Sequence, residues 1–252
     1  MEQDVLAGAE PFRFEGNDVG VLVSHGFTGT TQSVRPLGEA LAAEGLTVAG
    51  PRLAGHGTSV EDHARSTAES WIRSVEEDLA WLEGRCTAVF FAGLSMGGTL
   101  SLYFGATRPD LIRGIIPING CAYLANPELA AALYSRDAPP VLPGVGSDIK
   151  MEGVEELAYP GVPVPAAREF AALLNVTRDL LPTVGCPTLL IQSREDHVVP
   201  PGNGPFILDA IASVDKELVW LDDSYHVATL DNDAPRIATL TIDFVKSLVS
   251  ED

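Results

Sequence analysis

Lysine is nearly missing from this chain: Lys150, Lys216 and Lys246 are the only three in 252 residues. Sixteen basic residues face 35 acidic ones, for a formal net charge of −19. That balance argues against nucleic acid as a partner, whose binding rests on neutralising phosphates with Lys and Arg, and it disfavours anionic membrane surfaces as well. Cysteine is scarce too. Cys86, Cys121 and Cys186 are odd in number and show no C-x-x-C spacing, which speaks against a disulfide framework or a zinc site. Asp62 and His63 complete no metal-ligand spacing either, so no metal is expected. No apolar run approaches the roughly 18 residues of a membrane span. The opening stretch "MEQDVLAGAEPFRFEG" has neither a basic nor an apolar leader region. A cytoplasmic protein without stable membrane insertion is the expectation.

What is present is apolar and regular. Hydrophobic residues make up 46% of the chain and charged residues 20%, enough to bury a substantial core. "FRFEGNDVGVLVSHG" reads as two strands around the turn "EGND". "SVRPLGEALAAEGL" then places Val34, Leu37 and Leu41 at helical spacing, with Pro36 in the first turn and Gly45 as the stop. The rhythm repeats with the strand "LTVAGPRL" and a helix whose expected capping box is Ser66 with Glu69. The strand "TAVFFAG", a helix from Met96 to about Thr107 and the strand "RGIIPIN" follow. Strands alternating with helices predict an α/β protein with a mostly parallel sheet covered on both faces.

From 121 to 182 the alternation fails, in a stretch rich in Pro, Gly and Ala with short helical patches, which we take as an inserted cap or lid. The core is thus expected at 1–120 and 183–252. There the rhythm resumes with "PTLLIQS", the helix "PFILDAIASV", the strand "KELVWLDD" and a final helix from Pro235 to about Val249.

"AGLSMGGTL" carries the chemistry. A G-x-S-x-G sequence between a buried strand and a helix lifts the serine oxygen clear of the sheet edge, and Gly93 and Gly97 supply the space such a turn needs. The serine also sits at a helix N-terminus, where N–H groups favour developing negative charge. A serine hydroxyl needs a base held by a third group, and this chemistry needs no cofactor. Among five histidines, only His226 lies after a late strand and before the last helix, at the same carboxyl edge as Ser95. Asp196, at the end of "PTLLIQSRE", is the candidate acid, with Asp222 and Asp223 as alternatives. The N–H groups of Met96 and Phe27, the latter in "HGFTGT", are the expected oxyanion donors. The Phe27 ring, Leu142 and Val145 are candidates to line a substrate pocket. His25 and His56 are read as loop supports, and Trp71 and Trp81 as core.

The order serine, acid, histidine, with "HGFTG", "PRLAGHGTS", "GLSMGG", "SREDHVV" and "HVATLD", resembles the α/β-hydrolases over nearly the whole chain, and within them the bacterial carboxylesterases and monoacylglycerol lipases. The resemblance implies Ser95 as nucleophile, His226 as base, Asp196 as its orienting acid and Phe27 and Met96 as oxyanion donors. It also implies neutral carboxylic esters, monoacylglycerols among them, as substrates. Tyr225 departs from the pattern, since related sequences often have a small residue before the histidine, and it is expected either to narrow the pocket or to move the His226 loop. The same triad also fits an acyltransferase, amidase or thioesterase, and the fold also serves non-catalytic binding modules.

Overall fold

The structure, a computed structural model, describes residues 4–124, 131 and 133–249. Nine strands are present among these: β1 (Phe12–Phe14), β2 (Val19–Ser24), β3 (Thr47–Gly50), β4 (Ala88–Leu94), β5 (Ile112–Ile118), β6 (Val141–Pro143), β7 (Gly161–Pro163), β8 (Thr188–Ser193) and β9 (Lys216–Leu221). The helices are α1 (Arg35–Ala43), the single turn α2 (Val60–His63), α3 (Ala68–Glu83), α4 (Met96–Thr107), α5 (Val164–Leu180), α6 (Asn203–Ala210) and α7 (Ala234–Val249). Seven strands form one sheet in the order β1-β3-β2-β4-β5-β8-β9. Every pairing in it is parallel except β1 on β3. The mostly parallel α/β architecture expected from the strand–helix alternation is the one observed.

The period of two in a strand divides the core into two layers. In β4, Phe91 joins Leu22, Ile115 and Leu190 beneath α3, α4 and α5, whereas Phe90 joins Val21, Val23, Ile116 and Ile191 beneath α1 and α7. Both layers are dry: Phe90, Phe91, Trp71 and Leu79 are fully buried. Fully burying such side chains contributes on the order of 1.5–3 kcal/mol each. Among the described residues, no helix is long and apolar enough to cross a membrane.

Helix α3 starts one residue later than "STAES" suggests. Thr67 is its N-cap, with a reciprocal bond from Ser70 in place of the expected Ser66 and Glu69 pair. Ser66 is drawn inward instead, its Oγ accepting the Trp71 indole N–H at 3.0 Å, and Glu69 pairs with Arg73 at the surface. The Ser66 hydroxyl also donates to the His63 carbonyl at 2.8 Å, and the Trp71 N–H is shared with the Ala54 carbonyl at 3.1 Å, so Ser66 belongs to a buried network and not to the helix cap.

The segment expected as a cap also differs from its sequence reading. Residues 125–130 and 132 lie outside the described residues. Downstream, β6 and β7 form a small antiparallel pair, and then comes α5, 17 residues long, where short helical patches were expected. The helix follows Pro163 and has Pro165 in its first turn, where a missing N–H costs nothing. Its Ala166, Phe170, Leu173 and Leu174 belong to the same apolar layer as α3 and α4. Before α5, the β6–β7 pair stands outside the seven-stranded sheet.

Candidate active site

Ser95 is the single residue between β4 and α4, and the turn leaves it at φ 55° and ψ −115°. An L-residue adopts this conformation only where the surroundings impose it. A Cβ on Gly93 would lie within 2.2 Å of the Gly97 carbonyl, and one on Gly97 within 2.2 Å of the Ser24 carbonyl oxygen, so the backbones can approach only because both are glycine. The Ser95 N–H donates to the Ile118 carbonyl at 2.9 Å. Its side chain is almost wholly enclosed. Met96, the first residue of α4, has an N–H that no intrahelical carbonyl can reach.

The loop after β2 runs directly past this turn: a Cβ on Gly26 would touch the Ser95 Cβ at 3.1 Å. Thr28, two residues on, has φ 64°. His25 fixes the loop, its Nδ1 at 2.9 Å from the Gly26 carbonyl and its Nε2 accepting the Leu53 N–H at 3.2 Å. Those partners require the neutral imidazole with its proton on Nδ1. Burial pushes the His25 pKa down to about 4. Next to it His56 and His63 lie with their rings tilted at 60° and 4.2 Å between centres, also buried and also held neutral. The Phe27 ring lies on this group, parallel to Phe170 at 5.2 Å and 4.8 Å from His63. It also packs against the small cluster of Leu133, Val164 and Ala167, as does Leu142.

The loops after β8 and β9 bring Asp196 and His226 together. His226 Nδ1 lies 2.8 Å from Asp196 Oδ2, and the second carboxylate oxygen accepts the N–H groups of Val198 and Val199 at 2.9 and 2.7 Å. With Nδ1–H donating to a carboxylate, Nε2 carries the lone pair. Burial alone lowers the His226 pKa, but the charge and hydrogen bond of Asp196, with smaller contributions from Glu156 and Asp148, raise it overall. The two alternative acids are engaged elsewhere, Asp222 with Arg194 and Asp223 with Lys150.

Of the other expected pocket residues, Val145 is 67% exposed. The Tyr225 ring sits edge-on to His197 at 4.7 Å between centroids, with the Lys150 ammonium 5.7 Å from its centroid. Cys121 is a buried thiol pushed up to about 12, chiefly by desolvation.

Three polar residues around His226 carried no local signal in the sequence. Asn119, which follows β5 at φ 46°, donates from Nδ2 to the His226 carbonyl at 2.7 Å and accepts the Ser193 N–H at 2.7 Å. Asp148 accepts the His226 N–H at 3.1 Å. Glu156 is a half-buried carboxylate whose pKa is raised by desolvation, against the opposing pull of the His226 charge and Ser33. A Cβ on Gly29 would run into its Oε1. Of the three, only Asn119, at the carboxyl end of a sheet strand, lay where strand order alone could direct attention.

A parallel sheet with a strained serine at a strand-to-helix turn and a carboxylate-held histidine on the neighbouring loops defines an α/β-hydrolase. Residues 17–233 match the family model described as serine aminopeptidase S33, and the chain belongs to that family. It is 48% identical over 241 residues to a thermostable monoacylglycerol lipase from Bacillus sp. (strain H-257), covering 95% of both chains. A carboxylesterase of Bacillus subtilis (strain 168) is 29% identical over 243 residues, or 95% of this chain and 97% of the other. Among solved structures, one from the metagenome-derived lipolytic enzymes LipS and LipT superposes with a TM-score of 0.95 at 52% identity, covering 97% of this chain and 100% of that one.

Proposed function

We propose that this protein hydrolyses neutral carboxylic esters, with monoacylglycerols as the favoured class, through Ser95, His226 and Asp196. The observation that carries the reading is a strained Ser95 turn at the carboxyl end of β4, on the same sheet edge as the β8 and β9 loops that join Asp196 to His226 at 2.8 Å. His226 Nε2 takes the Ser95 proton as Oγ attacks the ester carbonyl, and the N–H groups of Met96 and Phe27 receive the oxyanion. His226 then returns the proton to the departing alcohol, and water releases the acyl group by the same route. Similarity to a monoacylglycerol lipase across nearly the full chain supports the substrate class.

The apolar cluster of Leu133 and Val164, with Phe27 and Leu142 packed against it, gives the Phe27 loop an apolar flank that suits an acyl chain. Glu156, whose Oε1 lies against the Gly29 backbone of the Phe27 loop, suits a hydroxylated leaving group, because a carboxylate accepts hydrogen bonds from two hydroxyls at once. The test is hydrolysis of p-nitrophenyl esters from acetate to palmitate, 1-monoacylglycerols and aminoacyl p-nitroanilides by wild type and Ser95→Ala. Ester turnover that vanishes in the variant supports the proposal. Faster turnover of the anilides than of every ester overturns it in favour of an amidase.

A further inference from the structure

Beyond the triad, one side chain of the inserted stretch is bonded to both the acid and the base loops. Asp148 Oδ2 accepts two N–H groups at 3.1 Å, one from His226 and one from His197, and its Oδ1 lies 2.8 Å from His197 Nδ1. The Asp148 carbonyl also accepts the Val227 N–H at 3.0 Å. The carboxylate is thus shared between the loop that bears the acid and the loop that bears the base, and only 10% of its side chain is exposed. The neighbouring backbone is fastened to the same loop: Asp231 accepts the N–H groups of Lys150 at 2.7 Å, Met151 at 2.9 Å and Tyr225 at 2.8 Å. On the far side, Asn119 holds the His226 carbonyl.

We propose that Asp148 is a positioning residue for catalysis: it fixes the His226 peptide from the N–H side and holds the Asp196 and His226 loops in register. The inserted stretch is in this way part of the catalytic apparatus as well as a cover for it. A carboxylate that accepts three N–H groups resists displacement, because moving it strands charged-group hydrogen bonds in a poorly hydrated place. The inference rests on His226 being the base. The charges acting on the His226 ring are Asp196 from the β8 loop and Glu156 and Asp148 from the insertion. Lys150 is directed away, toward Glu195 and Asp223.

The experiment compares Asp148→Ala, Asp148→Asn and His226→Ala with wild type, using p-nitrophenyl butyrate across pH 5–9 and thermal melts. In Asp148→Ala, kcat is expected to fall roughly ten- to hundredfold with little change in KM, since a small misplacement of a catalytic group has effects of that size. The acidic limb of kcat/KM should move to lower pH, because one of the charges that favour the imidazolium is gone. Asp148→Asn, which keeps an oxygen for the His226 N–H but not the charge, should recover much of kcat while keeping the moved limb. Unchanged kcat and an unmoved limb in a folded Asp148→Ala overturn the proposal. So does an effect confined to KM. If Asp148→Ala does not fold, an unmoved limb in Asp148→Asn overturns it alone. Full activity in His226→Ala would instead remove the triad reading itself.

Discussion

At the scale of single residues, the site depends on groups whose replacements have separable effects. Ser95→Ala removes the nucleophile and is expected to lower ester turnover by about 10⁴-fold or more, while the melting temperature stays within about 2 °C of wild type. Substantial residual turnover would assign the reaction to another group. Glu156 has a different signature. Glu156→Ala should raise KM for a monoacylglycerol by roughly tenfold, the size of a lost charge-assisted hydrogen bond, yet barely alter KM for the methyl ester of the same acid. Equal changes for both esters would show that Glu156 acts on the fold or on His226 and not on the alcohol.

At the scale of elements, the turn between β4 and α4 and the start of α3 make opposite demands. The first needs the absence of side chains. Gly97→Ala forces a Cβ to within 2.2 Å of the Ser24 carbonyl, so a loss of about 3 kcal/mol or more, or failure to accumulate folded protein, is expected. Urea denaturation measures it, and an unchanged midpoint would mean that the turn relaxes freely. The second needs a particular hydroxyl. Thr67→Ala should lower stability by about 1 kcal/mol through the lost cap, seen as a melting temperature lower by about 2–4 °C. Glu69→Ala, which breaks only an exposed pair with Arg73, should change it by less than about 0.5 kcal/mol. The reverse ranking would return the cap to Ser66 and Glu69.

At the scale of the whole molecule, the most consequential feature is a set of histidines buried without charge. Burial lowers His25 and His63 to about 4, and burial reinforced by the neighbouring histidines holds His56 well below its ordinary value. In the unfolded chain each would titrate near 6.5. Between pH 6.5 and about 4 the unfolded state therefore binds protons that the folded state refuses. Stability is complete above the unfolded value and is lost as pH falls through that window. For His25 and His63 the effect is about 3 kcal/mol each at its full extent. Protonation of His25 would also set two donors against each other at Leu53, which loosens the Phe27 loop first. Thermal melts should show a steep fall between pH 6.5 and 5, above the range where ordinary carboxylates protonate, and His63→Phe should flatten it. A melting temperature constant down to pH 5 would contradict this account.

Much of this was readable in the chain. The parallel α/β alternation follows from apolar runs separated by helical spacing and punctuated by glycine and proline, and these are local properties of the backbone and its water-averse side chains. The Ser95 turn was legible for the same reason, because its glycines, apolar strand and helix are contiguous. Asp196 and His226 were legible through order, since the ends of successive parallel strands fall on one edge. What sequence spacing could not give were the contacts that join distant segments. Asp148 lies 78 positions from the His226 N–H that it accepts, and Asn119 lies 107 from the carbonyl that it holds. Ser66 joined a buried network with His63 and Trp71 and not the α3 cap, and α5 became a core helix, through packing in the assembled fold. The chain by itself determined the elements and the chemistry at their ends. Only tertiary structure decided which polar groups hold that chemistry in place, because a buried carboxylate or amide is fixed by whatever donors and acceptors the finished packing brings to it.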